Sequence, residues 1–107
     1  MKIIDYQTIG GKNVIISYIE KLPKNEKVIA YKIRESIFKY GLLAFEKLNT
    51  KKLVDKIYEI KFSNQRIAYI LDGDKVYFLH MFQKQKNKTE KKDLLIAIKR
   101  AKKEGIY

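Results

Sequence analysis

The chain has 107 residues, with 24 Lys and Arg against 12 Asp and Glu, one His and no Cys. That length suits one domain spanning 1–107, and 46% apolar residues exclude a wholly disordered chain. The absence of Cys excludes a disulfide framework or cysteine zinc site, and a single His excludes a His-rich metal site.

No unbroken apolar run is longer than that from Ile67 to Leu71, far short of the ~20 residues that span a bilayer. Met1-Lys2-Ile3-Ile4-Asp5 is charged by its fifth residue and has no apolar signal core. A soluble, cytoplasmic protein with no membrane partner is expected. The net charge of +12 favours a polyanionic partner. It is uneven: residues 83–107 hold nine bases against three acids, +6 in 25 residues. An AT-rich genome inflates Lys, but it also favours Glu, so codon bias does not account for the excess.

Lys2 to Thr8 is β-branched and aromatic and reads as a strand, ended by Gly10-Gly11. Asn13 is placed to cap a short helix through Val14, Ile15, Tyr18, Ile19 and Leu22. Leu22-Pro23 breaks it. A longer helix follows over Lys24 to Tyr40, with Ile29, Ile33, Ile37 and Tyr40 at helical spacing, and Gly41 takes the left-handed position after it. Residues 42–55 lack any period and read as an ordered connection. Three strands come next: Lys56 to Phe62, Arg66 to Leu71 and Lys75 to Phe82, joined by Ser63-Asn64-Gln65 and Asp72-Gly73-Asp74. Strict alternation in the third puts Val76, Phe78, His80 and Phe82 on one face. A final helix runs from about Glu90 to Lys103, with Thr89 as its cap and Leu94, Leu95, Ile98 and Ala101 as its apolar stripe. The predicted order is β-α-α-β-β-β-α: an α+β fold, a mostly antiparallel sheet with a helical hairpin on one face and a C-terminal helix.

Polar residues interrupt these apolar strands: Glu59, Lys61, Arg66 and His80, then Lys84, Lys86 and Lys88. If Lys61 pairs with Arg66, then Glu59, Lys61 and Arg66 share a sheet face. A three-residue second turn brings His80 to that face as well, and a two-residue turn flips it to the other. Both pairings remain open. Taken singly, His80 reads as a core histidine, Arg66 as a strand-edge cation, Glu59 and Lys61 as a wet sheet face and the lysine run as a linker. Taken together, spaced cations with an imidazole and a carboxylate suit binding and cutting a phosphodiester. No phosphate-binding glycine loop, Ser-His-Asp set, carboxylate cluster or aromatic RNA-stacking signature is present.

Several stretches carry a family resemblance. Gly10-Gly11-Lys12-Asn13-Val14 and Leu22-Pro23 flank the first helix, and Tyr40-Gly41-Leu42 ends the second. Lys51-Lys52-Leu53, Tyr58-Glu59-Ile60-Lys61 and Arg66-Ile67-Ala68-Tyr69 follow. The most specific stretch is Leu79-His80-Met81-Phe82-Gln83-Lys84-Gln85-Lys86-Asn87-Lys88-Thr89-Glu90. In these the chain resembles the RelE/ParE superfamily of toxins from bacterial toxin–antitoxin pairs, most closely its phage-derived, HigB-like branch. Met81 stands where that family has Gly, Gln85 where it has Lys, Glu90 where it has Pro and Lys61 where it has Arg.

The resemblance implies a RelE-like fold and a ribosome-dependent mRNA endoribonuclease. No metal or other cofactor is implied, because the 2′-hydroxyl attacks the adjacent phosphate. It also implies a cognate antitoxin with a helix-turn-helix domain, in a hetero-oligomeric complex. Arg66 and Lys84 are the expected phosphate ligands, assisted by Lys61 and Lys86. His80 is the candidate acid or base, and Glu59 a second base or an orienting group. Lys88, Lys91 and Lys92 extend the RNA contact into the final helix. Two other functions fit the same residues: a ParE-type inhibitor of DNA gyrase, and a non-enzymatic basic RNA-binding module.

Overall fold

The computed structural model describes residues 1–85 and 89–107. Its elements are β1 (Lys2–Asp5), α1 (Val14–Glu20), α2 (Lys24–Tyr40), α3 (Leu42–Lys47), β2 (Asn49–Val54), β3 (Ile57–Phe62), β4 (Gln65–Asp72), β5 (Lys75–Gln83) and α4 (Lys91–Lys103). The strands form one five-stranded sheet in the order β1-β5-β4-β3-β2. β1 runs parallel to β5, and the other neighbours are antiparallel.

The helical hairpin forms for local reasons. Asn13 Oδ1 accepts from the backbone N–H groups of Ile15 and Ile16 at 3.0 and 2.9 Å, satisfying two orphan donors of α1. Pro23 has no N–H to lose at the start of α2. α2 turns Ala30, Ile33 and Ile37 inward, and Gly41, at φ +60°, ends it in a conformation that side chains resist. The hairpin and α3 cover one face of the sheet, packing Ile15, Ile19, Ile37 and Ala44 onto Ile60, Ile67, Tyr69, Val76 and Phe78. On the other face Ala97 and Ala101 of α4 pack onto Ile57, Ala68, Ile70, Leu79 and Phe82.

Several expectations are corrected. The stretch read as a connection holds α3 and β2. β2 is an edge strand, solvent-facing along Asn49 to Lys52, so nothing imposes the alternation by which strands are recognised. The order is therefore β-α-α-α-β-β-β-β-α. β1 ends at Asp5 rather than Thr8, one further ladder bond running from Tyr6 N–H to Phe78 O at 2.9 Å. The buried face of α4 carries Asp93, Ala97 and Ala101, whereas Leu95 is 52% exposed, so the stripe is rotated from the leucine-based reading. Glu90, not Thr89, holds the cap position.

The β4–β5 hairpin resolves the pairing left open by the sequence. Asp72 pairs with Lys75 around Gly73-Asp74, a two-residue turn that by itself sends His80 to the hairpin face. A bulge then intervenes: Tyr69 pairs with Phe78, but Ala68 pairs with His80, which leaves Leu79 as the extra residue. The bulge breaks the alternation assumed for β5. His80 and Phe82 turn towards α4, beside Ala68 and Arg66, while Val76, Phe78 and Met81 join the hairpin core.

Candidate functional site

A cleft opens where the ends of β3, β4 and β5 meet the start of α4. Glu59 and Lys61 come from β3, Arg66 from β4, Lys84 from the chain just past β5 and Asp93 from the first turn of α4. Lys61 pairs with Arg66 and Glu59 with Ala68, the condition under which Glu59, Lys61 and Arg66 share one face, because the turn is Ser63-Asn64 and Gln65 already belongs to β4. Three cations, Lys61, Arg66 and Lys84, face three carboxylates, Glu59, Glu90 and Asp93. Such a lining is not a plain anion trap: it offers charge for a phosphate and carboxylates for proton transfer.

Arg66 is 8% exposed and fixed by its own turn: Nη1 donates to Gln65 O at 2.8 Å and to Ser63 O at 3.2 Å. Among the described residues no carboxylate lies within ion-pair distance of it, so its charge is not spent on a partner. Lys84 is positioned through its backbone, whose N–H donates to Asn64 O at 2.7 Å and ties the end of β5 to the β3–β4 turn. Glu59 is buried and accepts from the Thr89 hydroxyl at 2.6 Å. The residue expected to cap α4 thus spans the cleft instead.

His80 sits one layer behind the cleft, under α4. Its Nε2 lies 2.9 Å from Asp93 Oδ1, its Nδ1 lies 3.3 Å from Arg100 Nη1, and its ring stacks on Phe82 with centroids 5.0 Å apart. Burial pushes the imidazole below its ordinary range. The Asp93 hydrogen bond opposes that shift and the nearby Arg100 charge adds to it. Arg100 also donates to the carbonyl of the bulge residue, Leu79 O, at 2.9 Å and lies over the Tyr6 ring. Burial lowers its own pKa as well.

The structure thus gathers Glu59, Lys61, Arg66 and Lys84, and sets His80 behind Asp93. Lys91 and Lys92 are exposed at the start of α4. Lys86 and Lys88 lie outside the described residues. Sequence reasoning missed Asp93 and Arg100 as site residues. The available signal was their seven-residue spacing, which with Ala97 and Ala101 puts an acid and a base on the alanine face of one helix.

Among the described residues no helix is long and apolar enough to cross a membrane. No curated protein matches the chain. Among solved structures, the fold is similar to that in the crystal structure of the RelB–RelE antitoxin–toxin complex from Methanococcus jannaschii. The TM-score is 0.59 at 20% sequence identity, covering 67% of this chain and 86% of that chain. The profile of the family described as phage-derived protein Gp49-like (DUF891) matches residues 17–102. That span takes in every side chain of the cleft as well as His80 and Arg100, and the chain belongs to the phage-derived Gp49-like family.

Proposed function

We propose that this protein is the toxin of a type II toxin–antitoxin pair, of the HigB-like branch, and that it cuts mRNA on the ribosome. The observation that carries this reading is the cleft in which Lys61, Arg66 and Lys84 face Glu59 and Asp93. Membership of the Gp49-like family and a fold like that of RelE support it. In the reaction the 2′-hydroxyl of a nucleotide attacks its own 3′-phosphate. The products are a cyclic phosphate and a 5′-hydroxyl. Arg66 and Lys84 stabilise the crowded phosphate, with Lys61 beside them and Lys86 assisting. Lys at position 61 binds as a point charge, without the bidentate fork of Arg. Glu59 and the His80–Asp93 pair serve the proton transfers.

Exposed Lys91, Lys92, Lys99, Lys102 and Lys103 on α4, together with Lys88, track ribosomal RNA phosphates. The partner that restrains the toxin in the cytoplasm is an antitoxin with a helix-turn-helix domain, in a hetero-oligomeric complex. The test is Arg66→Ala, expressed in cells and assayed by mapping transcript 5′ ends. Growth arrest and cleavage fall by about 100-fold or more, while circular dichroism and antitoxin binding stay as in the wild type. A variant that still cuts at the wild-type rate removes Arg66 from the site. Intact transcripts with DNA damage indicate a gyrase poison, and salt-sensitive RNA binding without cutting indicates a binding module.

A further inference from the structure

How His80 is held decides which group in the cleft can take a proton. A guanidinium has only N–H donors, so Arg100 Nη1, 3.3 Å from His80 Nδ1, can only donate to that nitrogen. Nδ1 is therefore the lone-pair nitrogen. Nε2 carries the hydrogen and donates it to Asp93 Oδ1 at 2.9 Å. A proton on Nδ1 would set two N–H donors against each other. The one lone pair of the ring thus faces Arg100 and its one N–H faces Asp93; neither is offered to the cleft.

Asp93 is differently placed. It lines the cleft, and among the described residues only its Oδ1 is taken, by His80. Among the described residues no hydrogen bond is made to Oδ2, so that is the oxygen left for a substrate hydroxyl. The first turn of α4 favours its negative charge. Glu59, across the cleft, has one oxygen engaged by Thr89 and is the competing acceptor.

We infer that Asp93 takes the proton of the attacking 2′-hydroxyl, and that His80 is its positioning residue, with Arg100 fixing the imidazole tautomer. This rests on the RNA-cutting function proposed above. In the step, the 2′-oxygen forms its bond to phosphorus as its proton passes to Asp93 Oδ2, and the bond from phosphorus to the 5′-oxygen breaks. The leaving 5′-oxygen takes a proton from the Lys84 ammonium. Asp93 and Lys84 return to their starting states by exchange with water, so no net proton is gained or lost.

The test uses the full chain on a reporter mRNA in a translating extract, comparing wild type with Asp93→Asn, Glu59→Gln, His80→Ala and His80→Gln. Asn at 93 keeps an oxygen for the Nε2–H but has no charge. Its cleavage rate falls by about 100-fold or more, within the range for loss of a general base. His80→Ala falls by about tenfold or more, and His80→Gln, whose amide N–H can reach Asp93, recovers most of that loss. Nitrogen-15 NMR of the wild-type ring, which needs no variant, shows a neutral imidazole with hydrogen on Nε2.

Five outcomes overturn the inference. Asp93→Asn cutting at the wild-type rate removes the base, and loss of cutting in Glu59→Gln alone transfers that role to Glu59. His80→Gln as inactive as His80→Ala, or hydrogen found on Nδ1, returns the acid–base role to His80. A wild-type chain that cuts no transcript brings down the RNA-cutting function and this inference together. A cutting wild type with an equally active Asp93→Asn brings down the inference alone.

Discussion

The two faces of the sheet are made from the same strands and filled in opposite ways. Under the hairpin, Ile60, Ile67, Val76 and Phe78 meet Ile15, Ile19 and Ile37, and all are essentially excluded from solvent. Under α4 an apolar floor of Ile57, Ala68 and Ile70 gives way to Glu59, Arg66 and His80, with Asp93 and Arg100 arriving from the helix. Small Ala97 and Ala101 let α4 lie close enough for those polar contacts to form. Dry packing supplies stability through buried area and close contact, and a truncated side chain leaves a cavity that its neighbours only partly fill. The polar face fixes geometry through directional hydrogen bonds whose net contribution to stability is small. Substitutions on the first face should therefore unfold the protein, and those on the second should disable it while it stays folded.

The sharpest way to break that contrast is Phe78→Ala. Phe78 is fully buried at the centre of the hairpin core. Its removal should cost about 3–5 kcal/mol, read by chemical denaturation, with the cleavage rate per folded molecule unchanged. A folded variant that has lost cleavage would mean that the two faces are coupled.

Arg34→Ala comes next. Arg34 crosses from α2 to β1, donating from Nη1 and Nη2 to the two oxygens of Asp5, each at 2.8 Å. It also lies over Phe78, 5.6 Å from the ring centroid. Asp5 is largely buried and additionally accepts from Asn13 Nδ2 at 3.0 Å. Losing the guanidinium leaves a largely buried carboxylate with only the Asn13 hydrogen bond and should cost about 2–3 kcal/mol. Asp5→Asn in the same background should recover part of that loss. A denaturation midpoint unmoved by Arg34→Ala would show that the pair is screened like a surface one.

The same contrast separates what was legible in the sequence from what was not. α2 spans Lys24–Tyr40 as read, because a helical period between Pro23 and Gly41 leaves little freedom. Asn13 caps α1 as read, since its short side chain needs only local backbone to act. The pairing of Lys61 with Arg66 was legible only as one of the possible registers, because the turn between β3 and β4 is two residues long and not the three that Ser63-Asn64-Gln65 suggests. β2 was not, being an exposed edge with no face to bury. The bulge at Leu79 was invisible as well, for nothing in Leu79-His80-Met81 marks an extra residue, and it alone decides which way His80 points. The cations of the cleft were legible as charge on one strand face. The Asp93–His80–Arg100 chain was not, because it depends on that bulge and on the rotation of α4 about its alanine face.

The smallest expected effect tests the polar face directly. Burial holds the native His80 imidazole below its unfolded value of about 6.5. The folded chain thus binds that proton more weakly than the unfolded chain. Above about pH 6.5 both states carry a neutral ring, and the full contribution of His80 to stability is present. As pH falls from there towards the lowered native value, the unfolded chain takes up a proton that the native one refuses, and the contribution is lost. His80→Gln has no such group. Carboxylates remote from residue 80 are common to both proteins and largely cancel in the difference between them. The unfolding free energy of wild type minus that of His80→Gln, measured by denaturation across a pH series, should be level above about pH 7 and decline below about 6.5. A difference that stays level down to about pH 5 would mean that the folded ring titrates as freely as the unfolded one. In that case Arg100 does not hold Nδ1, and the polar face is looser than its hydrogen bonds imply.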